Sequence, residues 1–198
     1  MTLGATRNCL MLLLLYSGCL RQEERGTVTV VMKTELGEME LALDTIRAPI
    51  TAKNVLRYVD AGFYDGGRFF RTVTPENQPN NKVKIEVIQC EIDTARGQNE
   101  FPPVLMESTD KTGIPHTDGT LSMARDGPNT ATSSFSICVH DQPELNFGGK
   151  RNPDGYGFAA FGHVIAGMDV VRKIHASPAE GQHLTPPVRI LSVKRKPH

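Results

Sequence analysis

Alternating hydrophobic and polar positions recur along most of the chain and predict a protein built mainly from β-strands. The clearest example is the stretch 121–138, in which Leu121 and Met123 share one face of a strand until the segment 126–129 (Asp-Gly-Pro-Asn) interrupts the pattern. Glycine can adopt positive φ and proline has no N–H to donate, so this segment is typical of a turn. Alternation then resumes at Phe135. The stretch therefore predicts two strands joined by a polar loop.

The same alternation predicts further strands on both sides of this stretch. They cover residues 28–32, 39–43, 69–73, 85–92, 158–164 and 188–193. A turn near Gly37 joins the first two into a hairpin. Two other segments have the 3.6-residue period of a helix: one begins at Pro49 and ends at Gly62, and the second spans 168–174. About eight strands and two helices predict a mainly β fold, a closed eight-stranded antiparallel β-barrel capped by two α-helices, which leaves no open strand edge.

Length and composition indicate one globular domain and narrow the range of partners. The chain has 198 residues, 39% of them hydrophobic, and its 22 basic side chains equal its 22 acidic ones. A chain of this length can bury one substantial core. Its balanced charge predicts no nucleic-acid partner. The six histidines lack the H-x-x-x-H spacing of a metal site, so we expect neither a metal nor a cofactor.

The N-terminal segment differs in composition from the rest and predicts export. Arg7 precedes an apolar run at 9–16, and the small residues 17–18 stand directly before Cys19. This is the layout of a secretory signal peptide, predicted here for residues 1–18, because the apolar run is too short for a membrane span.

Residues 16–19 also resemble a bacterial lipobox, in which cleavage before Cys19 is coupled to lipidation of its thiol. The resemblance implies a protein exported to the periplasm or cell envelope and anchored to a membrane through Cys19. Residues 19–26 then form a charged linker, and residues 27–198 form the folded domain. An uncleaved membrane anchor and a wrongly assigned start codon are the alternatives.

Two further cysteines, Cys90 and Cys138, belong to the predicted domain. An oxidising compartment permits disulfides. Both residues lie within predicted strands, however, where a bridge needs a suitable Cα distance and suitable Cβ directions. We therefore expect two free, buried thiols.

Several blocks of the sequence resemble the cyclophilins, which are peptidyl-prolyl cis-trans isomerases. LSMA at 121–124, GPNT at 127–130 and the pattern S-x-F-x-I-C at 133–138 are similar to the family's signature. FYDGGRFFRTV at 63–73 is similar to the segment that carries the family's catalytic arginine, and FAAFGHV at 158–164 resembles the strand that closes its barrel. The resemblance implies a closed β-barrel that needs no cofactor. It also implies an enzyme that rotates X–Pro bonds in proline-containing segments of unfolded or extended proteins and assists their folding.

Rotation of an X–Pro amide is slow because the C–N bond has partial double-bond character, with a barrier of about 20 kcal/mol. Faster rotation requires a cationic donor to the prolyl nitrogen, a dry slot for the proline ring and hydrogen bonds to the flanking peptide. The resemblance implies two catalytic residues, Arg71 as the cationic donor and Gln89 as the amide that holds the substrate backbone. The substrate-binding residues that it implies are Val87, Ala124, Arg125, Ser136, Leu145 and Phe158. Of these, Ala124 and Arg125 would present backbone groups.

The chain departs from the family's usual residues at several of these positions. Ser136 stands where the family has a phenylalanine that lines the proline slot, and Phe158 stands where it has a histidine. Residues 90–91 (Cys-Glu) replace a glycine pair, and the chain has no tryptophan. We hypothesise that Phe158, with Val87 and Leu145, forms the apolar floor of a reshaped slot and occupies much of the space vacated at Ser136.

Two other functions remain open at this point. A cyclophilin-fold peptide-binding or chaperone module with little isomerase activity is favoured by the departures at Ser136, Phe158 and Glu91. A purely structural envelope lipoprotein is favoured only if Arg71 proves to be buried in an ion pair.

Overall fold

The computed structural model describes residues 26–197 and contains nine strands within that range. The strands are β1 (Thr27–Thr34), β2 (Gly37–Asp44), β3 (Arg68–Val73), β4 (Val87–Glu91), β5 (Thr120–Met123), β6 (Phe135–Cys138), β7 (Ala160–Ala166), β8 (Ala179–Glu180) and β9 (His183–Arg195). The helices are α1 (Pro49–Asp60), α2 (Thr109–Thr112) and α3 (Met168–His175), with 3₁₀ turns at Thr94–Asn99 and Pro143–Leu145. The predicted signal peptide, the predicted lipidation site Cys19 and the linker up to residue 25 lie outside the described residues.

Eight of these strands close into the antiparallel barrel that the sequence predicts. Their order is β1-β2-β7-β5-β6-β4-β3-β9, and β9 pairs back with β1, which completes the ring. The two-residue strand β8 only adds to the beginning of β9. Closure gives each of the eight strands a hydrogen-bonded neighbour on both sides.

The two long helices pack against the barrel core. Helix α1 begins with Pro49 at its first position, where the missing N–H costs nothing, and Gly62 just beyond its end has a φ of +67°. The buried face of α1 includes Ala52, Val55, Leu56 and Val59, and that of α3 consists of Val170, Val171 and Ile174. Of the helices described for residues 26–197, none is long and apolar enough to span a membrane.

Two predicted strand boundaries were wrong in ways that affect the functional site. The strand predicted at 158–164 begins at Ala160, so Phe158 precedes it, and the N–H of Phe158 donates to the carbonyl of Leu145 at 2.9 Å. The strand predicted at 188–193 extends over His183–Arg195. Its early residues pair with β8 and β3, and this pairing overrides the weak alternation there.

The barrel interior is filled by fully buried aromatic and aliphatic side chains. Phe135 lies at its centre and makes edge contacts with the rings of Tyr64 and Phe161, with ring centroids 5.7 Å apart in both cases. Strands β2 and β7 approach closely at Gly162, where an added Cβ would lie 2.3 Å from the carbonyl oxygen of Ala42. Only glycine fits at this contact.

The two cysteines of the domain are free and buried, as expected. Cys90 pairs across the sheet with Phe135 and belongs to the barrel core, whereas Cys138 pairs with Val87 on the outer face. They therefore lie on opposite faces of the sheet, which prevents a bridge. Burial raises the pKa of both thiols above the ordinary value.

A β-bulge at Phe70 determines which side chains of β3 face outward. Phe69 pairs with Cys90, but Arg71 pairs with the next residue of β4, Gln89, so Phe70 is an extra residue in the ladder. Without the bulge, Phe69 and Arg71 would share the inner face, because side chains alternate with a period of two. With it, Phe69 is fully buried in the core and Arg71 lies on the outer face beside Gln89.

Candidate active site

A row of polar side chains crosses the outer face of four neighbouring strands. Arg71 on β3 lies opposite Gln89 on β4, which in turn lies opposite Ser136 on β6. Ser136 also lies opposite Ser122 on β5, so the row continues without a gap. Directly opposite residues have neighbouring side chains on the same face of a sheet. Barrel pairing alone therefore places Arg71 at one end of a polar strip.

An apolar cluster lies beside this polar row and is separate from the barrel core. Val73 pairs with Val87, and Val87 pairs with Cys138, which forms the next row on the same outer face. The cluster consists of Val73, Ile85, Val87, Cys138 and Leu145, with the half-buried ring of Phe158 packed against it. Phe158, Val87 and Leu145 therefore lie together in one apolar floor. That the Phe158 ring fills the space vacated at Ser136 stays a prediction.

The polar row and part of the apolar cluster line one cleft with a volume of about 570 Å³, named here the Arg71 cleft. All eight residues predicted for catalysis and substrate binding line it: Arg71, Val87, Gln89, Ala124, Arg125, Ser136, Leu145 and Phe158. These residues come from widely separated parts of the chain. The structure brings them together, and their individual roles remain predictions.

Arg71 is held by two neutral amides. Its Nε and Nη2 donate to Oε1 of Gln182 at 2.9 and 2.6 Å, and its Nη1 donates to Oε1 of Gln89 at 2.9 Å. A guanidinium has five N–H donors, so these three bonds leave two without an acceptor among the described residues. No described carboxylate forms an ion pair with Arg71, which removes the observation that would have favoured a structural lipoprotein. Burial and repulsion from Arg151 lower the pKa of Arg71.

Gln89 contacts the protein through both ends of its amide. Its oxygen accepts from Arg71, and its Nε2 donates to Oγ of Ser134 at 3.1 Å. Ser134 in turn donates to the carbonyl of Cys90 at 2.8 Å. These contacts fix the amide orientation and make Gln89 a residue that positions Arg71, in addition to the predicted substrate contact.

Arg125 has a side-chain role that differs from the backbone role expected for it. Its guanidinium is almost fully buried, makes a bidentate pair with the Asp154 carboxylate at 2.7 and 2.9 Å, and donates to the carbonyl of Gly157. It also lies over the Phe158 ring, 5.0 Å from the centroid. The N–H of Ala124 donates to the carbonyl of Ser134 at 3.0 Å and is therefore occupied within the protein. Arg125 thus holds the Phe158 ring in place.

A buried histidine connects the polar row to the loop that carries Leu145. Nδ1 of His116 lies 2.8 Å from Oδ1 of Asn146, and its Nε2 lies 2.9 Å from Oγ of Ser122. An amide oxygen can only accept, so Nδ1 carries the proton and Nε2 accepts from Ser122. Burial lowers the pKa of His116 to about 4, which keeps the ring neutral at physiological pH.

Comparison with known proteins identifies the family. Residues 29–195 match the sequence model of the cyclophilin type peptidyl-prolyl cis-trans isomerases. A peptidyl-prolyl cis-trans isomerase of Acinetobacter baylyi is 40% identical over 176 residues, which cover 84% of this chain and 85% of the relative. Peptidyl-prolyl cis-trans isomerase B of Escherichia coli K12 is 33% identical over 157 residues, with coverages of 78% and 89%.

The chain belongs to the cyclophilin family. Its function is peptidyl-prolyl cis-trans isomerisation. The fold agrees with a crystal structure of a Cryptosporidium parvum cyclophilin determined in the presence of the dipeptide Ala-Pro, with a TM-score of 0.69 at 20% identity and coverages of 86% of this chain and 99% of that one.

Two of this cyclophilin's departures from the family lie outside the Arg71 cleft. Cys90 faces the barrel core. Glu91 accepts a hydrogen bond from Nε of Arg68 at 2.6 Å, at the far end of the β3–β4 pair from Val73. Ser136 and Phe158, in contrast, line the cleft. Glu91 therefore no longer supports the alternative of a peptide-binding module with little isomerase activity, whereas Ser136 and Phe158 still do.

Sequence reasoning missed several residues of the site, including Gln182, Arg151 and Ile85. Gln182 is the main partner of Arg71 but lies 111 positions away, in a segment without a recognisable pattern. Arg151 and Ile85 also line the cleft. The strand predicted at 85–92 begins at Val87, so Ile85 precedes it, but the alternation of Ile85 with Val87 could have indicated that they share a face. Among residues 26–197, no group of three or more His, Cys, Asp or Glu side chains is arranged to hold a metal ion.

The role of the Phe158 ring can be tested by removing it. Phe158→Ala should raise the peptide Kd and lower kcat/KM by about tenfold, because burying an aromatic ring typically contributes about 1.5–3 kcal/mol and each 1.4 kcal/mol is tenfold. Phe147→Ala is the matched control, since Phe147 is an exposed ring on the same loop that does not line the cleft. Unchanged binding and turnover in folded Phe158→Ala would show that the ring does not contact the substrate.

Proposed function

We propose that this cyclophilin isomerises X–Pro bonds in unfolded or extended proteins of a bacterial cell envelope, with Arg71 as its electrostatic catalyst. The observation that carries the catalytic part is the environment of Arg71. Its guanidinium is positioned by the amides of Gln89 and Gln182, is not neutralised by a described carboxylate, and retains two N–H donors beside an apolar floor.

The geometry fits the requirements of amide rotation. As the C–N bond twists, the prolyl nitrogen loses conjugation and gains a lone pair that can accept a hydrogen bond. An N–H of Arg71 donates to that lone pair, which exists only in the twisted state. The interaction therefore stabilises the transition state more than the ground state. The proline ring lies on the floor formed by Val87, Leu145 and Phe158, which excludes water and strengthens the interaction.

The location in the envelope is supported by the N-terminal sequence. Residues 1–18 have the layout of a signal peptide, and Cys19 occupies the lipidated position of a lipobox-like sequence. The first strand begins at Thr27. Residues 20–26 then serve as a short tether between the lipidated cysteine and the barrel. Two of the relatives described above come from bacteria, which agrees with a bacterial source.

A second candidate is a peptide-binding or chaperone module with little catalysis. The observation that favours it is Ser136, a small side chain at the centre of the polar row where the family has a ring. Such a module would bind proline peptides in the Arg71 cleft without accelerating their exchange. The assay on Arg71 below separates the two.

The catalytic role of Arg71 predicts a loss of rate with a smaller loss of binding. Arg71→Ala should lower kcat by about 100-fold or more, as is typical when one transition-state donor is removed. The measurement is exchange of an X–Pro peptide followed by NMR or by a coupled protease. Arg68→Ala on the same strand is the matched control, because Arg68 is outside the cleft and pairs with Glu91. Wild-type protein that binds the peptide without accelerating exchange would instead support the binding module.

The proposed membrane anchor predicts a specific mass at the N-terminus. Protein expressed in a bacterium and isolated from membranes should begin at Cys19 and carry the added mass of acyl chains. Cys19→Ser should release the protein into the soluble fraction, while Cys138→Ser, which alters a buried thiol of the barrel, should leave it on the membrane. Recovery of cytosolic material with an intact Met1 would contradict export.

A further inference from the structure

A second guanidinium, that of Arg151, lines the Arg71 cleft and also has no carboxylate partner within residues 26–197. Its Nη1 donates to Oε1 of Gln78 at 2.8 Å and to the carbonyl of Val83 at 2.7 Å. Both hydrogens of Nη1 are thereby used, which leaves Nε and Nη2 without an acceptor among the described residues. These two nitrogens form the edge of the guanidinium that binds a carboxylate through two parallel hydrogen bonds.

The polar loop 74–84 fixes the positions of both arginines. Gln78 is 1% exposed; its Nε2 donates to the carbonyls of Thr74 and Ile85, and its Oε1 accepts from Arg151. The backbone carbonyl of the neighbouring Asn77 accepts from Nε2 of Gln182, the amide that holds Arg71. The loop therefore places two positive charges on one cleft wall in a defined arrangement. Their mutual repulsion contributes to the lowered pKa of Arg71.

The other charges of the cleft do not compensate these two. Arg125 is neutralised by its bidentate pair with Asp154. Asp126 is the acidic side chain in the lining, and it is exposed, so water screens its charge. The chain as a whole has no net charge. The positive character of the cleft is therefore a local feature, formed by Arg71 and Arg151.

We propose that Arg151 determines specificity by binding an acidic side chain of the substrate within about two residues of the proline. Arg71 donates to the prolyl nitrogen, while Nε and Nη2 of Arg151, which have no acceptor among the described residues, donate to the carboxylate. The inference rests on the Arg71 cleft being the active site. It predicts that this cyclophilin prefers Glu- or Asp-containing proline segments over neutral ones of the same shape.

The test compares peptides that differ only in Glu against Gln, placed in turn at the two positions before and the two positions after the isomerised bond. The catalysed kcat/KM is measured at low salt and at high salt and corrected for the uncatalysed rate of each peptide. The wild type should favour Glu by about three- to tenfold for at least one position at low salt, and salt should reduce the preference. Equal rates for Glu and Gln at all four positions would overturn the proposal. Absence of turnover with every peptide would instead contradict the function of the cleft.

Variants assign the preference to Arg151. Arg151→Gln should bring the Glu-to-Gln ratio to about one, whereas Arg172→Gln, the same change at an arginine of α3 outside the cleft, should retain the wild-type ratio. Arg151→Glu should reverse the charge preference and favour a Lys peptide, a gain that damage to the fold cannot produce. A wild-type ratio in Arg151→Gln would assign the preference elsewhere and refute the role of Arg151.

Discussion

The β-bulge at Phe70 is the constraint on which the functional site depends. A regular ladder would direct Arg71 into the barrel core beside Phe69, where an unpaired guanidinium is very costly. The extra residue moves Arg71 to the outer face and keeps Phe69 in the core. Bulges commonly re-aim a side chain in this way next to active sites. The same feature therefore completes the core and creates the cleft.

Once Arg71 faces outward, its partners decide whether its charge can act. A carboxylate would hold the guanidinium firmly but would cancel the field that a developing lone pair experiences. The amides of Gln89 and Gln182 hold it with hydrogen bonds and leave the charge in place. The apolar floor excludes water and raises the effect of that charge. Together these contacts fit an enzyme that needs positioning and polarity but no nucleophile.

The fold and much of the site could be predicted from sequence because both follow from local pattern and family resemblance. Alternation at Leu121 and Met123 predicted a strand, and the block ending in Arg71 predicted the cationic donor. The bulge at Phe70 leaves no periodic signal, since one inserted residue looks the same as a strand boundary. Gln182 and Gln78 could not be found because their partners are 111 and 73 positions away, a pairing that only the closed barrel and its loops define.

The direction in which a side chain points is equally difficult to predict from sequence. Arg125 was expected to offer its backbone, but its side chain folds inward to pair with Asp154 and cover Phe158. Sequence identifies the residue as belonging to the site, whereas the available partners decide which of its groups is used. The contacts of Arg151 with Gln78 and Val83 are another case, since nothing in the pattern of a polar loop indicates that it orients an arginine of a distant segment.

The most direct test of the account is to change the amide that holds Arg71 into a carboxylate. Gln182→Glu keeps nearly the same shape and acceptor position but adds the negative charge that the site excludes. NMR exchange measurements on a bound X–Pro peptide should show a catalysed rate at least about tenfold lower with a similar peptide Kd. Asn80→Asp, the same chemical change at an exposed residue of the 74–84 loop, should leave the rate unchanged. A folded Gln182→Glu protein with the wild-type exchange rate would contradict the claim that the uncompensated charge of Arg71 drives the reaction.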